Sequence, residues 1–211
     1  MSSSVIRIAA AKGYLLSDAI AALAKVGIHF DPNFSSSRSL STFDESGTVQ
    51  LFQIRPWDVP VYVQEGAADL GVVGKDVLLE QSPNCLDLLD LGFGACRLIL
   101  AGLDTVSREL THNMKVATKY PNATSQYFRS KGLKVKLIKL YGAIELAPVT
   151  QLADIICDLT ATGTSLKENH LVEIDALFSS TAHLVANPVS MKAHYDRIVE
   201  LVDALRAVVN G

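Results

Sequence analysis

The order of apolar and polar positions divides the chain into alternating strand-like and helix-like stretches. Val5–Ala10 is an apolar run of strand length, and Leu15, Leu16, Ala19, Ile20 and Leu23 follow at helical spacing until Gly27. His29–Gly47 is irregular and rich in serine, as a surface loop or an active-site flap would be. Thr48–Ile54 alternates as a strand, and Asp58 and Pro60 open a helix to about Glu65. A strand beginning near Ala68 leads to a helix over Asp76–Gln81, and Cys85–Leu91 and Cys96–Gly102 are further strands. Gly92 and Gly94 between those two strands are the expected first crossing between two lobes.

The second half repeats the rhythm. Met114–Thr118 is a strand, Pro121–Lys131 a helix closed by Gly132, and Leu133–Leu140 a strand whose alternate lysines mark an edge or half-exposed position. Tyr141–Pro148 turns into a short helix. The apolar run Ile155–Cys157 ends in Asp158, a small-residue loop follows, and a polar helix begins at about Leu166. Val172–Ile174 and Ala176–Asn187 read as strands. A single final helix from Ser190 to Val209 carries Tyr195, Ile198, Val199, Val202, Leu205 and Val208 on one face. Alternating strands and helices predict an α/β protein with largely parallel sheets covered on both sides.

Composition narrows the function. Of 211 residues, 49% are hydrophobic and 19% charged, which is a globular balance with room for two lobes, and the net charge of −3 argues against a nucleic-acid surface. The three cysteines are odd in number, form no CxxC and lie in or beside apolar runs, as buried thiols in a reducing compartment do. No apolar h-region opens the chain and no window is long enough to span a membrane, so the expected location is the cytoplasm, with no membrane partner.

The five histidines are scattered without zinc spacing, and no Walker loop, G-x-G-x-x-G or G-x-S-x-G occurs. The remaining candidate is the stretch Asp158-Leu159-Thr160-Ala161-Thr162-Gly163-Thr164-Ser165. A strand, a loop of small hydroxyl residues and a helix start together offer free N–H groups and hydroxyls to an anion. Asp158 would face sugar hydroxyls or a metal ion instead, with Glu145 nearby. An ordinary strand–turn–helix joint capped by serine or threonine fits the same spacing. Lys12, at the end of the first strand, Arg38, in the serine-rich loop, and Arg55, before a helix, are cations an anionic ligand in a net-negative protein would need.

The loop from Asp158 to Ser165 is similar to the phosphoribosyl pyrophosphate (PRPP) loop of phosphoribosyltransferases. The wider set of blocks resembles the ATP phosphoribosyltransferase family: Lys12-Gly13, Ser37-Arg38-Ser39-Leu40, Arg55-Pro56-Trp57-Asp58, Gly66–Leu78, Ala117-Thr118-Lys119-Tyr120, Lys139–Gly142, Glu145–Pro148 and Thr162–Asn169. They run in order over three quarters of the chain. The resemblance implies an α/β, two-lobed fold like the type II periplasmic binding proteins, each lobe a mainly parallel sheet flanked by helices. Residues 1–94 with 176–211 would form the cation-bearing, nucleotide-side lobe, and 95–175 the PRPP lobe. No C-terminal regulatory domain is expected, which is the pattern of the family's short form.

The resemblance further implies transfer of the phosphoribosyl group of PRPP to N1 of ATP, with Arg55, Lys12 and Arg38 as catalytic cations. Glu145, Asp158, Thr160, Ala161, Thr162, Gly163, Thr164 and Ser165 would bind PRPP, with Mg²⁺ on the substrate pyrophosphate. It implies a regulatory subunit related to histidyl-tRNA synthetase, and a homodimer within a hetero-octamer. The chain departs from the family pattern at Tyr14, where arginine is common, at Ala161, where an acid is common, and at Ser165, where threonine is usual. Ser125-Gln126 also stands where an arginine is usual. A non-enzymatic bilobed solute-binding module is the alternative. A purine or pyrimidine phosphoribosyltransferase would carry two adjacent acids before the loop, whereas here Cys157 precedes Asp158.

Overall fold

The computed structural model describes residues 5–105 and 107–210. The leading Met1–Ser4 segment lies outside them. The chain forms two compact units: one comprises the chain to Leu78, Ser82–Gly94 and the part from Thr181 onward, the other Leu79–Gln81 and Ala95–Ser180.

In the first unit, strand β1 (Ile6–Ala11) leads to helix α1 (Tyr14–Lys25). Within the serine-rich stretch, β2 (Ser41–Phe43) forms where the sequence shows only a loop, because it hydrogen-bonds along the edge of β3 (Val49–Ile54). Helix α2 (Val59–Gln64) follows with Pro60 in its first turn, but Asp58 at its N-cap makes no side-chain capping hydrogen bond. Next come β4 (Leu70–Gly74), α3 (Lys75–Gln81) and β5 (Leu86–Asp90).

The second unit contains β6 (Cys96–Leu103), β7 (Lys115–Thr118), α4 (Pro121–Ser130), β8 (Lys136–Lys139), α5 (Leu146–Val149), β9 (Ile155–Thr160), α6 (Thr164–Glu168) and β10 (Leu171–Ser180). The chain then returns through β11 (Ala182–Ala186), α7 (Pro188–Ala193) and α8 (Tyr195–Asn210) to the first unit. Strand β10 continues through position 175, held by antiparallel pairing to β6, so the break between the last two strands falls at Thr181.

The first unit's sheet has the order β2-β3-β1-β4-β11-β5, and the second's β10-β6-β9-β7-β8. Parallel pairing is confined to β3-β1-β4 and β9-β7-β8; the other pairs are antiparallel. Both sheets are therefore mixed. The strands linked without a helix, β2 to β3, β5 to β6 and β10 to β11, supply the antiparallel members, and helices α2 to α6 link strands that run parallel, mostly with another strand between them.

The first core packs Ile8, Leu51, Leu70 and Leu184 of the sheet against Leu16 of α1 and Ile198 of α8, all essentially buried. Strand β4 lies so close to α2 that a Cβ on Gly71 would stand 2.7 Å from a Val63 methyl, which only glycine avoids. The periodicity predicts one helix over 190–209, but the chain breaks at His194. Helix α7 is capped by Asn187, whose carbonyl accepts from the N–H groups of Val189 and Ser190 while its amide donates to Val63 and Gln64. Ser190 in turn donates to Asp69, which also accepts from Arg7 at 2.9 Å. Beyond the break, Ile198, Val202 and Leu205 pack inward and Tyr195 is left exposed.

The second core lies on one face of its sheet, where Ile99, Ala117 and Ile156 meet Ile144 and Ala147 beside α5. Its other face packs Phe128 of α4. Glu80, at the end of α3, belongs to this unit and is buried; its carboxylate accepts from the N–H groups of Asn122 and Ala123, both at 2.9 Å. None of the helices, among the described residues, is long and apolar enough to cross a membrane.

Candidate active site

In strand β9, Ile156 and Asp158 point to the same face because side chains alternate with period two. Across the ladder Ile99 of β6 stands opposite Asp158. These residues form the floor and wall of a cavity of about 190 Å³, and the rest of the lining is Glu145 and the chain from Leu159 to Leu166. All eight residues expected to bind PRPP thus surround one cavity in the second unit. An apolar floor of two isoleucines and a rim of hydroxyls, backbone and two acids can take a small polar ligand whose phosphate end meets the loop.

The loop is held open by its own small side chains. Gly163 adopts φ +76°, a left-handed conformation that L-residues disfavour, and its N–H donates to the Thr160 hydroxyl at 3.0 Å. The Thr162 and Thr164 hydroxyls lie 2.9 Å apart and bond to each other. Of the loop's N–H groups, that of Gly163 is therefore committed to Thr160. The N–H groups of Thr162, Thr164 and Ser165 have no acceptor among the described residues. Helix α6 begins at Thr164, two residues earlier than expected, and no side chain caps it. The loop is thus not an ordinary serine- or threonine-capped joint. With only five residues, α6 adds little dipole, so the loop's donors carry any attraction for an anion.

Two acids share the cavity. Glu145 is half-buried at the N-cap of α5, delivered by Ala143, a non-glycine residue in the left-handed region at φ +49°. Asp158 accepts from the Leu159 N–H at 2.8 Å. Burial pushes the Asp158 carboxyl up to about 6; the Leu159 N–H opposes this, the nearby Glu145 charge reinforces it, and Lys119 draws it back. Lys119 was missing from the candidates. Its signal was available, since a lysine directly after a strand is the same reasoning that singled out Lys12. Next to Asp158, but on the sheet's other face, the buried Cys157 thiol is pushed up to about 12, which makes it an unreactive packing residue. Cys85 and Cys96 are only partly buried.

The three expected cations all lie in the first unit. Lys12 directly follows β1 and its N–H donates to the Ile54 carbonyl at 2.7 Å, which sets it beside Arg55 at the end of the parallel neighbour β3. Arg38 lies in the loop before β2. The buried Gln53 side-chain amide donates to the carbonyls of Ser37 and Ser39, on either side of Arg38, and the Gln53 N–H donates to Leu40 at 3.0 Å. The side chains of Lys12, Arg38 and Arg55 are exposed, and none forms an ion pair among the described residues. Gln53 is a second residue the sequence did not single out, because a glutamine in an alternating strand gives no sign of what it will fasten. Also among the described residues, no group of three or more histidine, cysteine or acidic side chains is placed to hold a metal ion.

Known proteins resemble this chain in sequence and fold. A family model described as HisG, ATP phosphoribosyltransferase, matches residues 55–207. The chain is 44% identical over 207 residues to the ATP phosphoribosyltransferase of Caldanaerobacter subterraneus subsp. tengcongensis, covering 98% of this chain and 99% of that protein. Among solved structures, the ATP phosphoribosyl transferase (HisG:HisZ) complex from Thermotoga maritima superimposes with a TM-score of 0.83 at 34% identity, over 98% of this chain and 99% of that one. The periplasmic aliphatic sulphonate binding protein SsuA from Escherichia coli shares the fold alone, with a TM-score of 0.62 at 13% identity over 99% of this chain and 73% of that one. With a family model spanning most of its length and a relative of 44% identity matched nearly end to end, the chain belongs to the ATP phosphoribosyltransferase family.

Proposed function

We propose that N1 of the adenine of ATP attacks C1 of PRPP on this protein, forming the N–C bond as the C1–O bond to pyrophosphate breaks. The products are N1-(5-phosphoribosyl)-ATP and pyrophosphate, in the first step of histidine biosynthesis. The observation that carries this reading is the single cavity lined by Glu145, Asp158 and the Thr160–Ser165 loop in a member of this family. Membership of the family also favours the enzyme over a solute-binding module of the same fold.

In this reading the Thr162, Thr164 and Ser165 N–H groups and the loop hydroxyls hold the 5-phosphate, and Asp158 and Glu145 accept from the ribose hydroxyls. The first unit is the nucleotide side. Its Lys12, Arg38 and Arg55 neutralise charge that builds on the leaving pyrophosphate, the role in which preorganised cations contribute most. Two acids without a third ligand do not form a divalent-cation cage, so Mg²⁺ would be carried by pyrophosphate oxygens, where it screens the leaving group. Aligning two polyanions supplies the rest of the rate.

The HisG:HisZ relative supports a regulatory subunit as a partner for this chain; the hetero-octamer containing catalytic homodimers is what the family resemblance implies. A cytoplasmic location suits an enzyme drawing on ATP. The test is to mix the protein with ATP, PRPP and Mg²⁺, with and without a candidate regulatory subunit, and follow product absorbance. Product formation that stops when PRPP is omitted is expected; PRPP binding with no product under either condition would leave a binding protein.

A further inference from the structure

We propose that Lys119 is a positioning residue of the PRPP cavity, which keeps Asp158 in the charged form that accepts hydrogen bonds from the ribose. The inference rests on the reading of the cavity as a PRPP site and adds a residue to it. Strands β7 and β9 are parallel neighbours in which Thr118 pairs with Cys157, so the next residues along, Lys119 and Asp158, emerge side by side at the same edge of the sheet.

The turn that carries Lys119 is firmly held. The Tyr120 N–H donates to the Thr118 hydroxyl at 2.9 Å, the Thr124 hydroxyl donates to the Tyr120 carbonyl at 2.6 Å, and Leu140 N–H donates to the Thr118 carbonyl at 3.0 Å. One turn further on, the buried Glu80 carboxylate fixes the start of α4. A half-buried lysine on this backbone carries its charge from a fixed starting point beside Asp158.

The groups around Asp158 define what that charge does. Glu145 faces it from the start of α5 and repels it, while Lys119 attracts it. On the β6 side its neighbour in the ladder is the uncharged Ile99, and Arg97 further along is committed to Glu173 at 2.7 Å. Lys119 is therefore the cation that offsets burial and Glu145 at Asp158. Without it the carboxyl would hold its proton to higher pH, and a protonated Asp158 offers the ribose a poorer acceptor.

The test is PRPP affinity of Lys119→Met, Lys119→Arg and the wild type, measured by calorimetry at pH 6.5 and pH 8.5. For Lys119→Met the expected loss is about five- to tenfold at pH 6.5, the size of a half-buried charge pair, shrinking to less than about twofold at pH 8.5, where Asp158 ionises unaided. Lys119→Arg should stay near the wild type, and adding Lys119→Met to Asp158→Asn should cause no further loss at either pH. A loss of equal size at both pH values, or one that persists in the Asp158→Asn background, would overturn the inference, because it would mean direct contact with substrate or a general structural role. An unchanged affinity would overturn it too. If the wild type itself binds no PRPP, the cavity assignment fails instead, an outcome distinct from all of these.

Discussion

Asp158 sets the needs of binding against those of folding, and asparagine at this position should separate the two. Burial, with help from Glu145, pushes the folded-state carboxyl up to about 6, whereas an unfolded aspartate titrates near 3.9. Above about pH 6 both states carry the charge, but the folded chain carries it where it is disfavoured, so ionised Asp158 subtracts from stability. As pH falls from 6 towards 4 the folded chain takes up the proton first and the deficit disappears. A displacement of about two pH units has a ceiling of about 3 kcal/mol, which partial solvent screening reduces to about 1–2 kcal/mol.

Asparagine keeps the side-chain carbonyl that accepts from Leu159 and loses the charge. Asp158→Asn should therefore melt about 2–8 °C higher than the wild type at pH 8, with the advantage shrinking below about pH 6 and gone only below about pH 3.9. PRPP affinity should fall about tenfold or more as charge-assisted hydrogen bonds to the ribose become neutral ones. Differential scanning fluorimetry across pH, paired with calorimetry, reads both effects. A variant less stable than the wild type at pH 8 would refute the reasoning, since the buried carboxylate would then be a net support of the fold.

Three further outcomes follow from the geometry. Gly163→Ala meets no steric contact but disfavours the left-handed backbone by about 1–2 kcal/mol; a loop that relaxes in the empty protein takes this cost on binding, so PRPP affinity should drop about five- to thirtyfold by calorimetry with the melting temperature of the empty protein little changed. Glu80→Ala leaves two N–H groups of α4 without their acceptor and should cost about 2–4 kcal/mol, measured by urea denaturation, with Glu80→Gln intermediate. Arg55→Ala should lower kcat by about 10²–10³ with PRPP affinity nearly unchanged, and equal losses in both would remove its transition-state role.

Most of the fold was legible because its elements announce themselves locally. Apolar runs of strand length, helical spacing after Gly13 and the proline starts at Pro60 and Pro121 each depend on a few adjacent residues. What escaped depends on partners distant in sequence. Strand β2 exists only because β3 offers it an edge, and β10 runs past Asp175 because β6 pairs with it to the end. The cap of α7 is fixed by Asn187 reaching Val63 and Gln64, more than a hundred residues away.

The site divided in the same way. The loop could be read from its run of small hydroxyl residues around Gly163, and Arg55 was a candidate from its place between a strand and a helix. That Gln53 secures the backbone flanking Arg38, and that Lys119 lies beside Asp158, required the strand register. Even within the loop, residue types could not show that Thr160 takes the Gly163 N–H, leaving its neighbours as the donors.

Strand register also shows how the β7 and β9 junctions of the second unit differ towards an anion. Strands β7 and β9 end at the same edge of the sheet, each followed by a helix. The longer helix, α4, has the stronger dipole, yet its start is closed: Pro121 brings no N–H, and Glu80 occupies those of Asn122 and Ala123. The shorter α6 has no such internal carboxylate, and the hydroxyls before it leave the Thr162, Thr164 and Ser165 N–H groups without acceptors. In the proposed reading, the internal anion at one helix and the open loop at the other direct a phosphate to the junction beside Asp158 and Glu145. One end of a phosphorylated sugar would there meet donors and the other acceptors, so the polarity of the cavity would set the direction in which the sugar lies. Glu80, outside the cavity, contributes to that direction by removing the competing seat.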